Sequence, residues 1–154
     1  MSQSVETEAP SVDEIDQYGD VRLSITVEDM LSLGFEYADM VKVSFLDQSI
    51  VIPVIPSYRY VAAKTAGLFL NRDYHDRPVE LALFNGSFAS TYGLAELTTR
   101  EDGTSGYEAM EGIEFPVAVT IEMAEKGGYK DTYAIYDLQR FRSLDDYKGM
   151  SILV

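Results

Sequence analysis

VELALFNGSFASTYGLAE, residues 79–96, contains the change of pattern that decides the fold. Val79, Leu81 and Leu83 alternate with their neighbours, as the inward-facing residues of a half-buried strand do. The alternation stops at Asn-Gly-Ser, residues 85–87, a combination typical of turns. We therefore predict a core strand that ends in an exposed corner, where a ligand or a partner can reach the backbone.

The same two-residue period recurs along the chain. It is present in VRLSITV (21–27), in MVKVSFL (40–46) and in IEFPVAVTIEM (113–123), and each run predicts a strand. SIVIPVI (49–55) follows the second run after a tight turn, which favours a hairpin. Pro53 cannot donate a backbone hydrogen bond, so we expect this arm to lie at a sheet edge or to leave the sheet at the proline.

Helical signals are few and short. EDMLSLGF (28–35) has acidic residues suited to a first helical turn, and Gly34 suits the end of the helix. Many short strands with one brief helix between them are typical of a small barrel or sandwich. The predicted fold is mainly β, a small antiparallel β-barrel with one or two short helices.

The composition is that of a folded, acidic protein. Of 154 residues, 46% are hydrophobic and 25% are charged, which suits one domain with a substantial core. The formal net charge of −14 repels phosphate backbones, so we expect no nucleic acid partner. No apolar run approaches the ~20 residues that a membrane-spanning helix needs, so we expect no membrane span in this chain.

The chain divides into a tail and one domain. Residues 1–17 are polar and acidic, and they predict a disordered tail or a tether; residues 18–154 form the single domain. Residues 97–110 are polar and glycine-rich, typical of an inserted loop, and residues 123–154 form an extension. Within the extension, residues 129–141 fit a strand or a helix, with a strand preferred. The compartment stays open: cytoplasmic, or secreted or in the cell envelope if the acidic N-terminus is a tether.

Few residues suit catalysis or metal binding. The chain has no cysteine, and His75 is its single histidine, which excludes thiolate-ligated and multi-histidine metal sites. G-x-S-x-G is absent, and neighbouring acidic residues fall in solvated, loop-like contexts. We predict neither catalytic residues in this chain nor a metal site.

Two other side chains suit ligand binding. Tyr58 follows Pro53 and Pro56, where its ring either stacks on a planar ligand or covers the core. Arg77 comes just before the strand that starts at Val79, and its guanidinium suits a carboxylate.

Five motifs occur in an order that resembles a known family. They are YGDVRLSI (18–25), MLSLG (30–34), PVIPSY (53–58), VELALFNGSFA (79–89) and YGL (92–94). In this order and at this spacing, residues 18–95 resemble the C-terminal domain of the S-adenosylmethionine hydroxide adenosyltransferases, relatives of the fluorinases and chlorinases. The resemblance implies a small β-barrel whose loops hold the adenosyl end of a ligand, usually within a trimer.

The resemblance also implies roles for individual residues. Tyr58 would stack on adenine, and Arg77 would hold the methionine carboxylate. The backbone at Asn85 and Gly86 would meet the adenine edge, and Asp20 stands where the family has an asparagine that reads the nucleoside. The candidate ligand-binding residues are Tyr18, Asp20, Tyr58, Arg77, Asn85, Gly86 and Ser87.

Two departures from the family limit what the resemblance implies. The family's N-terminal catalytic domain has no counterpart here, so we do not carry over the activity. Asp20 replaces an amide with a carboxylate, which accepts hydrogen bonds but cannot donate them when ionised. The chain is thus expected to be a stand-alone module for an adenine nucleoside or S-adenosylmethionine, as a homotrimer or with a separate catalytic partner. The alternative is a ligand-free structural or interaction domain; an independent enzyme acting on an adenosyl substrate is a third, weaker hypothesis.

Overall fold

The predicted strands form a curled sheet in the computed structural model, which describes residues 10–56, 65–71 and 76–129. In these residues the strands are β1 Val12–Ile15, β2 Val21–Thr26, β3 Met40–Phe45, β4 Gln48–Ile55, β5 Ala66–Phe69, β6 Pro78–Leu83, β7 Ala95–Thr99, β8 Ser105–Ala109 and β9 Thr120–Glu125. The helices are α1 Val27–Ser32 and α2 Phe88–Thr91. The mainly β prediction with one or two short helices is confirmed.

Seven strands make one half-barrel sheet, in the order β1-β2-β6-β5-β4-β3-β9. All neighbours are antiparallel except β4 and β5, which are parallel. The expectation for Pro53 is wrong, because β4 lies between β3 and β5 and continues to Ile55. Val54 exchanges backbone hydrogen bonds with residues 38 and 39 on the β3 side, so the neighbouring Pro53 directs its missing N–H to the opposite side. The parallel pairing with β5 begins only at Val54, so no ladder hydrogen bond is lost.

Helix α1 begins at a capping box. The Thr26 hydroxyl accepts a hydrogen bond from the Asp29 N–H, and the Asp29 carboxylate accepts one from the Thr26 N–H. This reciprocal pair satisfies N–H groups that have no partner within the helix. The helix buries Val27 and Met30 against the sheet, and Gly34, at φ +96°, follows its end as predicted.

The core fills the concave side of the sheet. Alternate residues of β2, namely Val21, Leu23 and Ile25, are almost completely buried, as their two-residue period predicts. Helix α2 adds Phe88, whose ring centroid lies 4.5 Å from that of Tyr92. Burying a large apolar side chain stabilises a fold by about 1.5–3 kcal/mol, so this set of residues provides most of the driving force.

Two segments that the sequence assigned to irregular structure are strands. Val12–Ile15 lies within the predicted tail of residues 1–17, yet it pairs with β2 and buries Val12 to 2% exposure. Residues 97–110 were predicted as a loop and instead form most of the β7–β8 hairpin. Its threonines suit extended backbone, and the Asp102 carboxylate accepts hydrogen bonds from the Thr104 N–H and hydroxyl, which closes the turn.

A buried carboxylate ties the far edge of the sheet to the loop before β3. Asp39 is fully buried, and its carboxylate accepts hydrogen bonds from the Glu36 N–H, the Gly127 N–H and Lys126 Nζ at 2.8, 2.8 and 2.9 Å. The same Lys126 ammonium lies 2.9 Å from a Glu36 carboxylate oxygen. These contacts hold the end of β9 beside the start of β3.

Some expectations lie outside the described residues. They include Tyr58, the first nine residues and the C-terminal extension beyond residue 129. Among the described residues, no helix has the length and the apolar character needed to cross a membrane.

Candidate functional site

The corner after β6 is a tight turn that leads directly into a helix. Asn85 has the left-handed backbone conformation, with φ +57°, and the Gly86 N–H donates to the Leu83 carbonyl. Asparagine adopts this conformation more readily than most residues, because its short polar side chain bonds locally. Ser87 then caps α2, since its hydroxyl accepts from the Ser90 N–H. The exposed Asn85 side chain therefore projects from a rigid, hydrogen-bonded turn.

A second turn, between β1 and β2, lies beside this corner. One oxygen of the Asp16 carboxylate accepts from the N–H groups of Tyr18 and Asp20 at 2.8 and 3.0 Å. Gly19 between them has φ +83°, and a Cβ atom there would lie 2.0 Å from the Ser87 hydroxyl oxygen. Only glycine fits so close to Ser87 in this conformation. The two turns are thus packed tightly together.

Strand pairing explains why the two turns meet. Val21 of β2 lies opposite Leu81 of β6 in an antiparallel register, so the start of β2 is next to the end of β6. Residues just before Val21 and just after Leu83 therefore share one end of the sheet. This end carries the candidate site.

Between the turns lies an open cleft of about 530 Å³. This volume falls within the roughly 300–1,000 Å³ of small-molecule sites. The Tyr18 side chain is 67% exposed at its mouth, whereas Asp20 is only 8% exposed. The lining residues are Asp16, Tyr18, Asp20, Leu83, Phe84, Asn85 and Gly86.

Four of the seven predicted ligand-binding residues line this cleft: Tyr18, Asp20, Asn85 and Gly86. Ser87 lies directly behind them as the cap of α2. Arg77 is exposed at the other end of β6, a strand of six residues that spans roughly 17 Å, and its carbonyl accepts from the Val27 N–H. The structure therefore brings Arg77 to α1 and not to the cleft. Tyr58 falls outside the described residues.

Carboxylates dominate the electrostatics of the cleft. Oxygen atoms of Asp16, Asp20 and Glu80 all lie within 4.8 Å of one another. Burial raises the pKa of Glu80; the Arg22 guanidinium and, more weakly, the Arg77 guanidinium oppose this rise, and the Asp20 and Asp16 carboxylates add to it. Such a group of oxygens has the chemistry to share a hard cation or a proton. It repels anionic ligands.

Sequence reasoning missed Asp16 and Glu80. The signal for Asp16 is present in DQYGD (16–20), where an aspartate two residues before a Tyr-Gly pair is typical of an Asx turn. In the alternating pattern of the strand, Glu80 has the position of an outward-facing residue, which gives no sign of a site. Its place beside Asp20 depends on the β2–β6 pairing, which the sequence does not specify.

Comparison with known proteins supports the fold. No protein-family model and no curated protein matches the chain. Among solved structures, a crystal structure of an uncharacterized conserved protein from Thermotoga maritima is similar, with a TM-score of 0.54 and 14% sequence identity. The match covers 76% of this chain and 39% of that one, so the chain spans about two fifths of the length of its neighbour. At this identity the likeness shows the fold alone.

Proposed function

We propose that the cleft between the β1–β2 turn and the corner after β6 binds an adenine nucleoside or S-adenosylmethionine. The observation that carries the proposal is the convergence of Tyr18, Asp20, Asn85 and Gly86 on one cleft, although the two groups are about 65 residues apart in sequence. The adenosyl part of the proposal rests on the resemblance of residues 18–95 to the adenosyltransferase family.

The side chains of the cleft suit the parts of a nucleoside. The exposed Tyr18 ring provides a flat surface for a base, and such stacking contributes about 1–3 kcal/mol per base in nucleic acid complexes. The Asn85 amide both donates and accepts hydrogen bonds, as the edge of adenine requires. Asp20 accepts from a ribose hydroxyl. Gly86 leaves space for a close approach to the backbone.

The charge of the cleft narrows the ligand class. Asp16, Asp20 and Glu80 disfavour phosphates, whereas a neutral nucleoside or a positively charged sulfonium is compatible with them. We therefore expect adenosine and S-adenosylmethionine to bind more tightly than adenosine monophosphate. This order of affinity is opposite to that of a nucleotide site.

The exposure of Tyr18 also bears on assembly. A ligand against this cleft would keep one face in solvent, and small-molecule sites usually bury 70–90% of their ligand. We propose that a second wall comes from a neighbouring copy in a homotrimer or from a separate catalytic partner. On this view the chain holds the ligand, and its partner provides any chemistry.

Calorimetric titration with adenosine, S-adenosylmethionine and adenosine monophosphate tests the proposal. Tyr18→Ala should weaken adenosine binding by about tenfold or more, which corresponds to about 1.4 kcal/mol. Asn85→Gly removes the amide but keeps the left-handed turn accessible, so any loss of affinity reports on the side chain. Asp20→Asn should leave affinity unchanged or increase it, because an amide restores a donor.

Val51→Ala is the control, because Val51 is 55% exposed on β4 and does not line the cleft. It should leave adenosine affinity unchanged. If folded protein gives no heat with adenosine or S-adenosylmethionine up to millimolar concentration, the proposal is wrong. Mass measurement in solution tests the trimer separately.

One observation favours the alternative, an interaction domain. Leu97 and Phe115 are 56% and 40% exposed on and beside the β7–β8 hairpin, away from the cleft. Exposed apolar side chains of this kind suit contact with a partner protein, and such contact needs no nucleoside.

A further inference from the structure

The β7–β8 hairpin forms a two-stranded sheet of its own. An isolated pair of strands is at best marginally stable in water, and a third strand or a packed face usually supports it. Here part of the support comes from Tyr107, whose hydroxyl lies against the Gly19 turn. The rest of the hairpin, including Leu97 opposite Tyr107, is largely exposed.

A groove of about 280 Å³ separates this hairpin from β1. Its lining is about equally polar and apolar, with Ile15 of β1 on one side and Tyr107 and Ala109 of β8 on the other. Phe115, 40% exposed, and the exposed Asp13 and Glu14 also line it. No residue of this groove lines the nucleoside cleft.

The outer edge of β8 presents backbone groups to this region. The Arg100 N–H donates to the Thr104 carbonyl, and the Met110 N–H donates to the Leu94 carbonyl. In an antiparallel pair the hydrogen-bonded positions alternate, so the N–H and C=O groups of residues 105, 107 and 109 point away from β7. Within the described part of the chain, no other strand pairs with this edge.

The hairpin region is strongly acidic. Residues 95–115 contain six acidic residues and one basic residue, Arg100. Glu96 and Glu108 lie directly opposite each other across the two strands, a pairing that destabilises a sheet unless a cation neutralises it. Asp13 and Glu14 add negative charge in the groove. Two copies of this acidic surface facing each other would repel, so a second copy is disfavoured in the groove itself.

We propose that the groove between β1 and β8 binds an extended peptide segment in which apolar residues alternate with lysine or arginine. The segment adds a strand to the outer edge of β8, and its backbone pairs with residues 105, 107 and 109. Its apolar side chains face Tyr107 and Phe115. Its basic side chains lie among the carboxylates of the hairpin and of β1. This is the strand-addition mode of peptide recognition, with charge selecting the partner.

The test uses a fluorescein-labelled peptide of sequence KVKVKVKV, with EVEVEVEV as the reversed-charge control, and follows fluorescence anisotropy with the full chain. The basic peptide should bind, and the acidic peptide should not. Phe115→Lys should weaken binding by about tenfold, because it removes an apolar contact and adds a like charge. Ala109→Pro should weaken it by a similar factor, because proline removes an outward N–H from the β8 edge.

Val51→Lys is the matched control for Phe115→Lys. Val51 is 55% exposed on β4, so the change has the same chemistry and the same effect on net charge at a distant surface. It should alter affinity less than twofold. Circular dichroism confirms that each variant is folded.

Three results would overturn the inference. The first is no binding of the basic peptide up to millimolar concentration. The second is an equal loss for Val51→Lys and Phe115→Lys, which would show attraction to net charge alone. The third is a homodimer that Phe115→Lys disrupts while peptide affinity stays unchanged, which would assign the surface to a second copy.

Discussion

Replacing Asp39 by asparagine removes one charge from the most buried polar site in the described part of the structure. The carboxylate has no solvent exposure and accepts three hydrogen bonds, two from backbone N–H groups and one from Lys126. Asparagine has the same shape but only one acceptor oxygen. In either orientation, its NH2 group must face at least one N–H donor.

The expected loss of stability depends on how many buried hydrogen-bond donors are left without an acceptor. The Lys126 ammonium is 46% exposed and keeps its contact with Glu36, so the cost comes from the buried donors: at least one backbone N–H and the new NH2 group that faces it lack an acceptor, at about 1–3 kcal/mol each. Domains of this kind have a total stability of about 5–15 kcal/mol. We therefore expect Asp39→Asn to lower the free energy of unfolding by about 2–6 kcal/mol.

Glu36→Gln is the matched control, because it makes the same carboxylate-to-amide change on the other partner of Lys126. The Glu36 and Lys126 side chains are 32% and 46% exposed, and an ion pair in contact with water contributes only about 0–1 kcal/mol. Urea denaturation followed by tyrosine fluorescence measures both variants, since the chain has eleven tyrosines and no tryptophan. If the two variants differ by less than about 1 kcal/mol, burial does not set the strength of this site, and our reasoning is wrong.

Three further predictions concern other parts of the fold. Phe88→Ala should lower the free energy of unfolding by about 3–5 kcal/mol in urea denaturation, because it empties a fully buried ring position; a cost below about 1 kcal/mol would contradict the packing described. Gly19→Ala should lower the melting temperature more than Gly103→Ala, since both glycines have positive φ but only Gly19 has atoms where the Cβ would go; equal shifts would contradict this. The raised pKa of Glu80 means that folding is favoured by its protonation, so this contribution is complete below the ordinary glutamate pKa and is lost as pH rises through the folded value. Glu80→Gln should therefore be more stable than the wild type at pH 7 in urea denaturation, with the difference vanishing near pH 4; a constant difference would exclude titration as its cause.

The strands and α1 were predictable because their signals are local. The alternation of Val21, Leu23 and Ile25 shows which face is buried, whatever the partner strand is. Helix α1 likewise needs only its acidic first turn and Gly34. Strand β1 was missed because Val12 is followed by two exposed acids, a pattern that a solvated tail shares. Its pairing with β2 is a property of the tertiary structure.

The candidate site was predictable in part for a related reason. Asn85 and Gly86 indicate a turn. The order of the motifs relates this turn to Tyr18 and Asp20 through the family resemblance. Glu80 and Asp16 join the site only through strand register. Arg77 was grouped with the corner because it is near in sequence, yet a strand of six residues separates the two ends. Residues at opposite ends of an extended strand are far apart in the folded protein even when they are close in sequence.

The contact between Lys126 and Asp39 joins residues 87 positions apart in the chain. Bringing such distant segments together is entropically costly, and we expect this one side-chain contact to form only after the rate-limiting step. A contact that forms after the rate-limiting barrier mainly sets how fast the native state opens. Weakening it should therefore shorten the lifetime of the folded protein and leave its refolding rate almost unaltered. On this reasoning the buried Asp39 carboxylate helps to set the unfolding rate of the native state.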